Sequence, residues 1–139
     1  MSQSHYAAAL PRPTPDSQPF WDALRQHELH LQRCQACGQA FFYPRNVCPH
    51  CLSSDLAWFR SSGRGRLHTF VIAYTAPRNP PLEVPYVIAM VELEEGPRLM
   101  TNLVGVEPDP KQIRCEMPVE IEFVDVTDEF TLPRFRPVA

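Results

Sequence analysis

Hydrophobic residues follow a helical period near the start of the chain and a strand period beyond residue 64. Phe20 and Leu24, with Trp21 beside them, share one helical face, which predicts a short helix over residues 19–30. Further on, apolar residues recur at every second position, most clearly at the start of residues 119–126 (VEIEFVDV). The chain is therefore expected to be mainly β, with one N-terminal helix.

The start of the predicted helix carries a capping signal. Pro19 stands at the first helical position, where its missing N–H costs no hydrogen bond, and Ser17 or Gln18 is placed to cap the helix. The apolar face is expected to pack against the protein body, as most amphipathic helices do. Residues 1–17 contain three prolines and no apolar period, which predicts an extended arm.

Five strands are predicted in the C-terminal part of the chain. They cover residues 66–76, 86–93, 98–104, 119–126 and 131–136. The last run contains Pro133, which predicts an edge or irregular strand because proline lacks the N–H that a ladder needs. Five short strands match an oligonucleotide/oligosaccharide-binding (OB) barrel, and a small split sandwich is the alternative.

Between the helix and these strands, two C-x₂-C pairs stand ten residues apart. Cys34 and Cys37 form the first pair, and Cys48 and Cys51 form the second, with β-prone aromatic residues between them. Because four thiolates suit the tetrahedral coordination of zinc, this spacing predicts a zinc ribbon held by one structural ion. Iron, as in a rubredoxin-like electron carrier, and a redox dithiol are the alternatives.

The composition is that of a small globular protein with unusually many prolines. The 139 residues include 16 prolines, more than twice the usual ~5%, so long helices are not expected after the first thirty residues. No apolar run approaches the ~20 residues of a membrane span, and the N-terminus lacks a secretory pattern. These features predict a cytoplasmic protein without membrane contact, in which disulfides are rare.

Charge is unevenly distributed along the chain. Residues 1–75 carry seven arginines and four acids, whereas residues 76–139 carry six basic and twelve acidic residues. Residues 56–82 hold four arginines and no acid, so a basic surface facing a partner would begin there. Net acidity and a single lysine argue against nucleic acid, because binding to a phosphate backbone needs many cations.

The basic segment at residues 63–68 (GRGRLH) leads into the first barrel strand. Its glycines can let the backbone approach a ligand, and Arg64 and Arg66 can form paired hydrogen bonds with phosphate. A solvated, charged turn is the alternative. A zinc ribbon beside an OB barrel also fits a binder of single-stranded nucleic acid, which remains the second functional hypothesis.

No catalytic constellation is defined by the sequence. None of the five histidines lies in a nucleophile-elbow or metal-hydrolase pattern. His50 is expected to face solvent in the turn of the second cysteine pair, and Glu92, Glu94 and Glu95 are expected to be solvated. Cys115 is expected to be a small, half-buried residue in a turn before a strand, with a nucleophile as the alternative.

Taken together, these motifs closely resemble a family of small proteins that accompany acyl-CoA enzymes. Members have an N-terminal helix, a rubredoxin-like zinc ribbon and a C-terminal OB-fold. The resemblance covers about residues 11–138. It rests on residues 19–21, 31–38, 42–51, 62–67, 85–89, 92–99, 102–105, 117–119 and 133–137. The chain departs from the family at Cys115, where glycine usually precedes the Met-Pro pair.

The resemblance implies a role beside an enzyme. Family members form complexes with thiolase-fold enzymes, including thiolases and aldolases. Others pair with hydratases or bridge a thiolase to a hydroxymethylglutaryl-CoA synthase. The enzyme carries the catalytic groups, whereas the small subunit holds the enzyme in shape and helps to form the coenzyme A (CoA) or acyl channel. This chain is therefore expected to be a non-catalytic accessory subunit in a hetero-oligomer. A free-standing acyl-CoA carrier or sensor is a further alternative.

The same resemblance implies a division of the chain and a set of CoA contacts. Residues 1–31 are expected to form the arm and helix, residues 32–60 the zinc ribbon and residues 61–139 the OB-fold domain. The arginines expected to contact the phosphates of acyl-CoA are Arg45, Arg64, Arg66 and Arg78.

Overall fold

The computed structural model of the chain describes residues 10–75 and 84–138. Within them lie one helix and eight strands. These elements are α1 (Gln18–Arg25), β1 (His30–Cys34), β2 (Ala40–Phe41), β3 (Leu56–Arg60), β4 (Arg64–Ala73), β5 (Tyr86–Leu93), β6 (Arg98–Leu103), β7 (Pro118–Asp125) and β8 (Thr131–Pro137). The prediction of a mainly β fold with one helix is confirmed. The first nine residues of the predicted arm, and Arg78, lie outside the described residues.

Helix α1 begins where the sequence predicts. Ser17 is the cap residue and Pro19 lies in the first turn. The Ser17 hydroxyl does not cap the helix, because it accepts a hydrogen bond from the backbone N–H of Thr14 at 2.9 Å. The buried side chains of α1 are Phe20, Trp21, Ala23 and Leu24. None of the described residues forms a helix long and apolar enough to cross a bilayer.

Helix α1 ends at Arg25, five residues before the predicted position, and a residue with left-handed backbone follows two positions later. His27 has a φ of +59°. The N–H of Glu28 then donates to the carbonyl of Ala23 at 3.0 Å, and the N–H of His27 donates to Leu24 at 2.9 Å. These two hydrogen bonds form a Schellman motif, which usually has glycine at the left-handed position. The prediction of a helix to residue 30 was therefore wrong, and His30–Cys34 is strand β1.

Strands β2, β1 and β3 form a small antiparallel sheet with β1 in the middle. Gln32 pairs with Phe41 on one side and with Trp58 on the other. The buried Gln32 side chain accepts a hydrogen bond from the N–H of Arg45 and donates to the Arg45 carbonyl, both at 2.8 Å. These two bonds anchor the loop between β2 and β3 to the sheet.

Strands β4, β5, β6, β8 and β7 close into a barrel in that order. Neighbouring strands are antiparallel except β6 and β8, which run parallel and pair at Leu103 and Phe135. Closure of five strands confirms the OB barrel and excludes the split sandwich. The barrel therefore contains one parallel pairing, between β6 and β8, which are separated in the sequence by β7.

Strand β8 is not an edge strand, although it contains Pro133. It pairs with β7 along its length and with β6 at a single registered position. Pro133 is registered with Phe123 of β7, so the proline does not interrupt the β7 pairing. The Thr101 hydroxyl on β6 donates to the Pro133 carbonyl at 2.9 Å, so a side chain supplies a hydrogen bond between the two strands there.

One hydrophobic core joins the helix, the small sheet and the barrel. In β5, the inward-facing Val87, Ala89 and Val91 are buried and alternate with more exposed residues. Leu24 of α1 and Leu31 of β1 belong to the same buried cluster. The expectation that α1 packs against the protein body is therefore confirmed. The domain boundaries after residues 31 and 60 stay a prediction.

The glycines of the basic segment permit close packing within the barrel. A Cβ atom at Gly65 would collide with the backbone carbonyl of Glu92 on β5, and one at Gly63 would collide with the side chain of Ile121 on β7. The close backbone approach that the sequence analysis assigned to a ligand is thus an approach to neighbouring strands.

Two serines connect the end of β3 to the turn between β5 and β6. The Ser61 hydroxyl and the Ser62 N–H each donate to a different carboxylate oxygen of Glu95, both at 2.8 Å. The Ser62 hydroxyl donates to Glu94 at 3.0 Å. The expectation that Glu95 is merely solvated was wrong, because its carboxylate links the ribbon to the barrel.

Candidate metal centre and interaction surfaces

The four cysteines of the two C-x₂-C pairs come together at one end of the small sheet. Their sulfur atoms all lie within 4.8 Å of one another. The Sγ atoms of Cys34 and Cys51 are 3.5 Å apart, and those of Cys37 and Cys48 are 3.7 Å apart. Four sulfurs at about 2.3 Å from a central zinc lie about 3.8 Å from one another, so the donor set fits a tetrahedral thiolate site.

Each cysteine pair lies in a tight turn that directs a backbone N–H toward a sulfur. The N–H of Cys37 donates to Cys34 Sγ at 3.4 Å, and that of His50 donates to Cys48 Sγ at 3.3 Å. Such donors stabilise the negative charge of a thiolate. Cys34 and Cys48 are buried, whereas Cys37 and Cys51 are exposed. The site is therefore half-buried at the protein surface.

The close spacing of the sulfur atoms gives Cys34 and Cys51 different thiol pKa values. Hydrogen bonding from the Cys37 backbone lowers the pKa of Cys34 to about 6 in spite of desolvation. The Ser53 backbone lowers the pKa of Cys51, but the neighbouring sulfurs and desolvation raise it more, to about 12. Because like charges at this distance repel, all four thiols ionise together only around a cation.

The metal site coincides with the smaller of two hydrophobic clusters in the described part of the chain. Cys34, Phe41 and Cys48 form a separate buried cluster, with Leu56 packed against it. A cluster of this size supplies little stability, so the metal is expected to stabilise the ribbon. His50 lies in an exposed turn as predicted, and among the described residues the metal-binding group consists of the four cysteines.

The arginines expected to contact CoA have different surroundings. Arg66 is 2.9 Å from a carboxylate oxygen of Glu116 and 3.6 Å from one of Glu92. Arg64 is exposed at the first position of β4. Arg45 lies in the loop between β2 and β3. Arg64 and Arg66 lie in strand β4 rather than in the solvated, charged turn that was the alternative interpretation, and Arg66 is ion-paired on the barrel exterior.

A polar groove of about 630 Å³ separates the cysteine loops from the β5–β6 turn, and Arg45 lines it. The other ionisable residues along this groove are Arg33, His50, Glu92, Glu95 and Arg98. No motif in the sequence marks Arg33 or Arg98 as a candidate ligand contact. Their proximity to Arg45 depends on how the ribbon packs against the barrel, for which the sequence carries no local signal.

An apolar cleft of about 520 Å³ lies where α1 and the ribbon meet the barrel. Aromatic side chains from α1 and from the ribbon, such as Phe20 and Tyr43, form one side of it, and Met100 of β6 lies on another. The nearly buried Arg134 also lines the cleft, and its guanidinium donates to the Asn102 amide oxygen at 2.7 Å. The sequence does not predict this cleft, because elements that are distant along the chain form it.

Cys115 lies in the predicted turn before β7, but its side chain is exposed rather than half-buried. The left-handed residue in this turn is Glu116, with a φ of +72°. The position that would favour glycine before the Met-Pro pair is therefore occupied by Glu116 and not by Cys115.

Two family models match the chain in tandem. Residues 21–57 match the rubredoxin-like zinc ribbon domain of ChsH2, and residues 58–124 match the C-terminal OB-fold domain of ChsH2. The first match contains all four cysteines, which supports zinc rather than iron as the metal.

Three curated relatives illustrate the range of similar proteins. A probable enoyl-CoA hydratase alpha subunit from Thermomonospora curvata is 42% identical over 132 residues, which are 94% of this chain and 40% of that protein. A DUF35 domain-containing scaffold protein from Methanocaldococcus jannaschii is 34% identical over 98 residues, 70% of this chain and 68% of that protein. The benzoylsuccinyl-CoA thiolase subunit BbsA from Geobacter metallireducens is 32% identical over 89 residues, 64% and 57% of the two chains.

The chain spans about two fifths of the length of the hydratase alpha subunits that it matches. It matches a solved structure more completely. A chain in the structure described as the Ltp2-ChsH2(DUF35) aldolase has a TM-score of 0.83 and 39% sequence identity. The match covers 94% of this chain and 100% of that chain.

Proposed function

This chain belongs to the ChsH2/DUF35 family, in which a rubredoxin-like zinc ribbon precedes an OB-fold domain, and we propose that it is a non-catalytic accessory subunit of a thiolase-like acyl-CoA enzyme. The partner is a thiolase or an aldolase that cleaves or forms a carbon–carbon bond. The chain stabilises this partner in a hetero-oligomer and helps to form its CoA and acyl channel.

The observation that carries the proposal is the likeness to a whole chain of the Ltp2-ChsH2(DUF35) aldolase. The name of that structure joins two components, and this chain covers all of the compared one at 39% identity. The names of the other relatives, a scaffold protein and a thiolase subunit, support the same kind of role.

The metal centre has a supporting role in this proposal. Zinc held by Cys34, Cys37, Cys48 and Cys51 would have four protein ligands and no open position for a substrate, as in structural zinc sites. Its contribution is to hold the loops that carry Arg45 and His50 against the barrel. These loops form one wall of the polar groove.

The polar groove is the best candidate surface for the phosphates of CoA. Arg45 and Arg33 line it and can supply charge-assisted hydrogen bonds, whereas Arg98, which also lines it, is paired with Glu92. Among the described residues, Arg45 has no ion-pair partner within 4.0 Å, so its guanidinium is available. Arg66 is less available because Glu92 and Glu116 neutralise it. Arg64 and Arg78 remain predicted contacts.

Charge placement favours an enzyme partner over single-stranded nucleic acid. Carboxylates accompany the arginines of the barrel, as Glu92 does Arg98 and Glu120 does Arg136. A phosphate backbone would meet these carboxylates as well as the arginines. A salt titration with a labelled oligonucleotide separates the two functions, because binding through phosphates weakens steeply as salt rises.

Co-expression with a thiolase-fold protein from the same organism tests the proposal. The two chains are expected to co-purify as a stable complex, and the enzyme is expected to be less soluble and less active without this chain. Equal solubility and activity of the enzyme when it is expressed alone would overturn the proposal.

A further inference from the structure

The apolar cleft has an aromatic wall in which the rings hold one another in place. The ring of Phe20 on α1 lies 4.9 Å from that of Trp21 and 5.3 Å from that of Phe42, measured between centroids. The ring of Tyr43 lies 6.1 Å from that of Phe20. Such edge-on and tilted ring contacts are favourable beyond the area they bury. The wall is therefore preformed, and an occupant would pay little to order it.

The size and lining of the cleft are those of a small-molecule site. Its volume of about 520 Å³ lies within the range of roughly 300–1,000 Å³ that ligand pockets occupy. Apolar side chains of the barrel, among them Ile88, Leu99 and Leu132, face the aromatic wall across it. Sites of this kind bind largely apolar molecules and orient them with a few polar groups.

Polar side chains that the barrel contributes to the lining are bonded within the protein. The Thr101 hydroxyl donates to the Pro133 carbonyl at 2.9 Å. The Asn102 amide N–H donates to the Val87 carbonyl at 2.9 Å, and its oxygen accepts from Arg134 at 2.7 Å. The side chains of Thr101 and Asn102 are thus engaged by the barrel itself.

Trp21 in the aromatic wall differs from these side chains. It is 8% exposed and lines the cleft, and within the described part of the chain its buried indole N–H has no hydrogen-bond partner. Buried N–H groups nearly always have a partner, because the hydration they lose on folding is otherwise not replaced. The N–H is closed to bulk water, so a molecule seated against the aromatic wall is the natural source of an acceptor.

We propose that the apolar cleft binds a small, largely apolar molecule, and that a carbonyl oxygen of this molecule accepts a hydrogen bond from the indole N–H of Trp21. The aromatic wall and the barrel side chains would surround its hydrocarbon skeleton. The single donor would favour a compound that carries such an oxygen over the corresponding hydrocarbon.

The cleft adjoins the polar groove, because Phe42 lines both. A site for an apolar group and a candidate site for phosphates therefore lie side by side, and an acyl-CoA carries both kinds of group. That the natural occupant is the apolar part of an acyl group rests on the proposed function. The cleft and its indole donor belong to this chain, so their binding capacity can be measured without a partner.

The test uses tetralone and tetralin, two probes that share a bicyclic skeleton and differ in one carbonyl oxygen. Each is titrated into the full-length chain while the indole N–H signals of its two tryptophans are followed by NMR. Both probes should bind, but only tetralone should shift the Trp21 indole proton downfield, as a new hydrogen bond does. Tetralone is expected to bind about two- to tenfold more tightly than tetralin, which corresponds to one net hydrogen bond.

Trp21→Phe keeps an aromatic ring and removes the N–H. It should raise the Kd of tetralone to that of tetralin and leave the Kd of tetralin nearly unchanged. Trp58→Phe is the matched control, because Trp58 is also packed against the core but lies outside the lining of the cleft. It should leave both Kd values unchanged and retain the shifted indole signal.

A second variant tests the cleft without altering the core. Met100 lines the cleft and is 67% exposed, so Met100→Glu should fold and should weaken the binding of both probes severalfold. Leu52→Glu, at a residue that is 76% exposed on the ribbon, is its control and should bind both probes as wild type does.

Binding of neither probe, equal affinities for the two probes, or an unmoved Trp21 signal at saturation with tetralone would overturn the proposal. So would a Trp21 signal that ignores the probes and moves only when the thiolase-fold enzyme is added, since the cleft would then be part of a protein interface. Failure of the co-expression test would instead remove the acyl group as the occupant and leave the binding site itself in place.

Discussion

His27 Nε2 lies 3.0 Å from Oδ1 of Asp125, which joins the residue that closes α1 to the last residue of β7. The imidazole also stacks on the ring of Phe123, with centroids 5.1 Å apart and planes 11° from parallel. The Thr131 hydroxyl donates to the same carboxylate at 2.6 Å. One left-handed residue thereby ends the helix and fastens it to the barrel.

Substitution of His27 should therefore affect stability in two separable ways, through its side-chain contacts and through its left-handed backbone. His27→Ala loses the carboxylate contact and the stacking, while a β-carbon stays at the positive φ. We expect its melting temperature to fall by about 2–4 °C. His27→Gly loses the same contacts but relieves the backbone, so it should fall less. A His27→Ala protein that melts at the wild-type temperature would contradict the assigned role.

Glu95 should make stability depend on acid pH. Desolvation raises the pKa of Glu95, but hydrogen bonds from the Ser62 N–H and the Ser61 hydroxyl lower it more, so the pKa lies below its ordinary value of 4.5. A lowered carboxyl pKa stabilises the fold above the unfolded value, and this stabilisation is lost as pH falls through the folded value.

Thermal denaturation of wild type and Glu95→Gln from pH 7 to pH 3 measures this contribution. The variant is expected to melt a few degrees below wild type at pH 7, and the difference should shrink below about pH 4.5. Glu107→Gln, an exposed carboxylate substitution elsewhere on the barrel, is the control and should show no such convergence. A constant difference across the pH range would refute the linkage.

The four-cysteine site should hold one zinc ion, and this ion should stabilise the ribbon more than the barrel. Cys48→Ser removes a buried ligand and is expected to reduce bound zinc from about one equivalent to nearly none. Cys115→Ser is the matched control, since its exposed sulfur lies outside the cluster, and it should retain full zinc. Zinc analysis by mass spectrometry gives the stoichiometry.

Hydrogen exchange locates the effect of metal loss. Chelation should deprotect residues 30–60 before the barrel strands, because the ribbon has only a small buried cluster of its own. Unchanged protection of the ribbon after complete zinc removal would contradict a structural role for the metal.

Local patterns account for the parts of the structure that were predicted correctly. The cysteine spacing places four ligands in two tight turns, and this geometry depends on only a few adjacent residues. The alternation in β5 likewise follows from one buried face, so its bounds match the prediction from Tyr86 to Leu93. Such features need no knowledge of distant contacts.

The parts that were missed depend on contacts between distant residues or on an unusual residue. Nothing in the sequence marks His27 as left-handed, since glycine usually signals a Schellman motif. The parallel pairing of Leu103 with Phe135 depends on the closed barrel, and so does the tolerance of Pro133 within it. The polar groove and the apolar cleft also appear only when the ribbon and barrel pack together.

The polar groove should contribute to CoA affinity in the assembled complex. Arg45→Ala removes a cation without a described ion-pair partner, so the Kd of CoA is expected to rise about three- to tenfold. Arg25→Ala, on the exposed side of α1, is the control and should leave the Kd unchanged. Calorimetry on the complex measures both. An Arg45→Ala complex with wild-type affinity would remove Arg45 from the proposed CoA contacts.

Turnover of the purified thiolase-fold subunit, measured while this chain is titrated into it, tests the central claim most directly. An accessory subunit should raise the turnover of the enzyme until the two chains reach a fixed ratio, and it should show no turnover by itself. Turnover that does not change at any ratio would contradict the account.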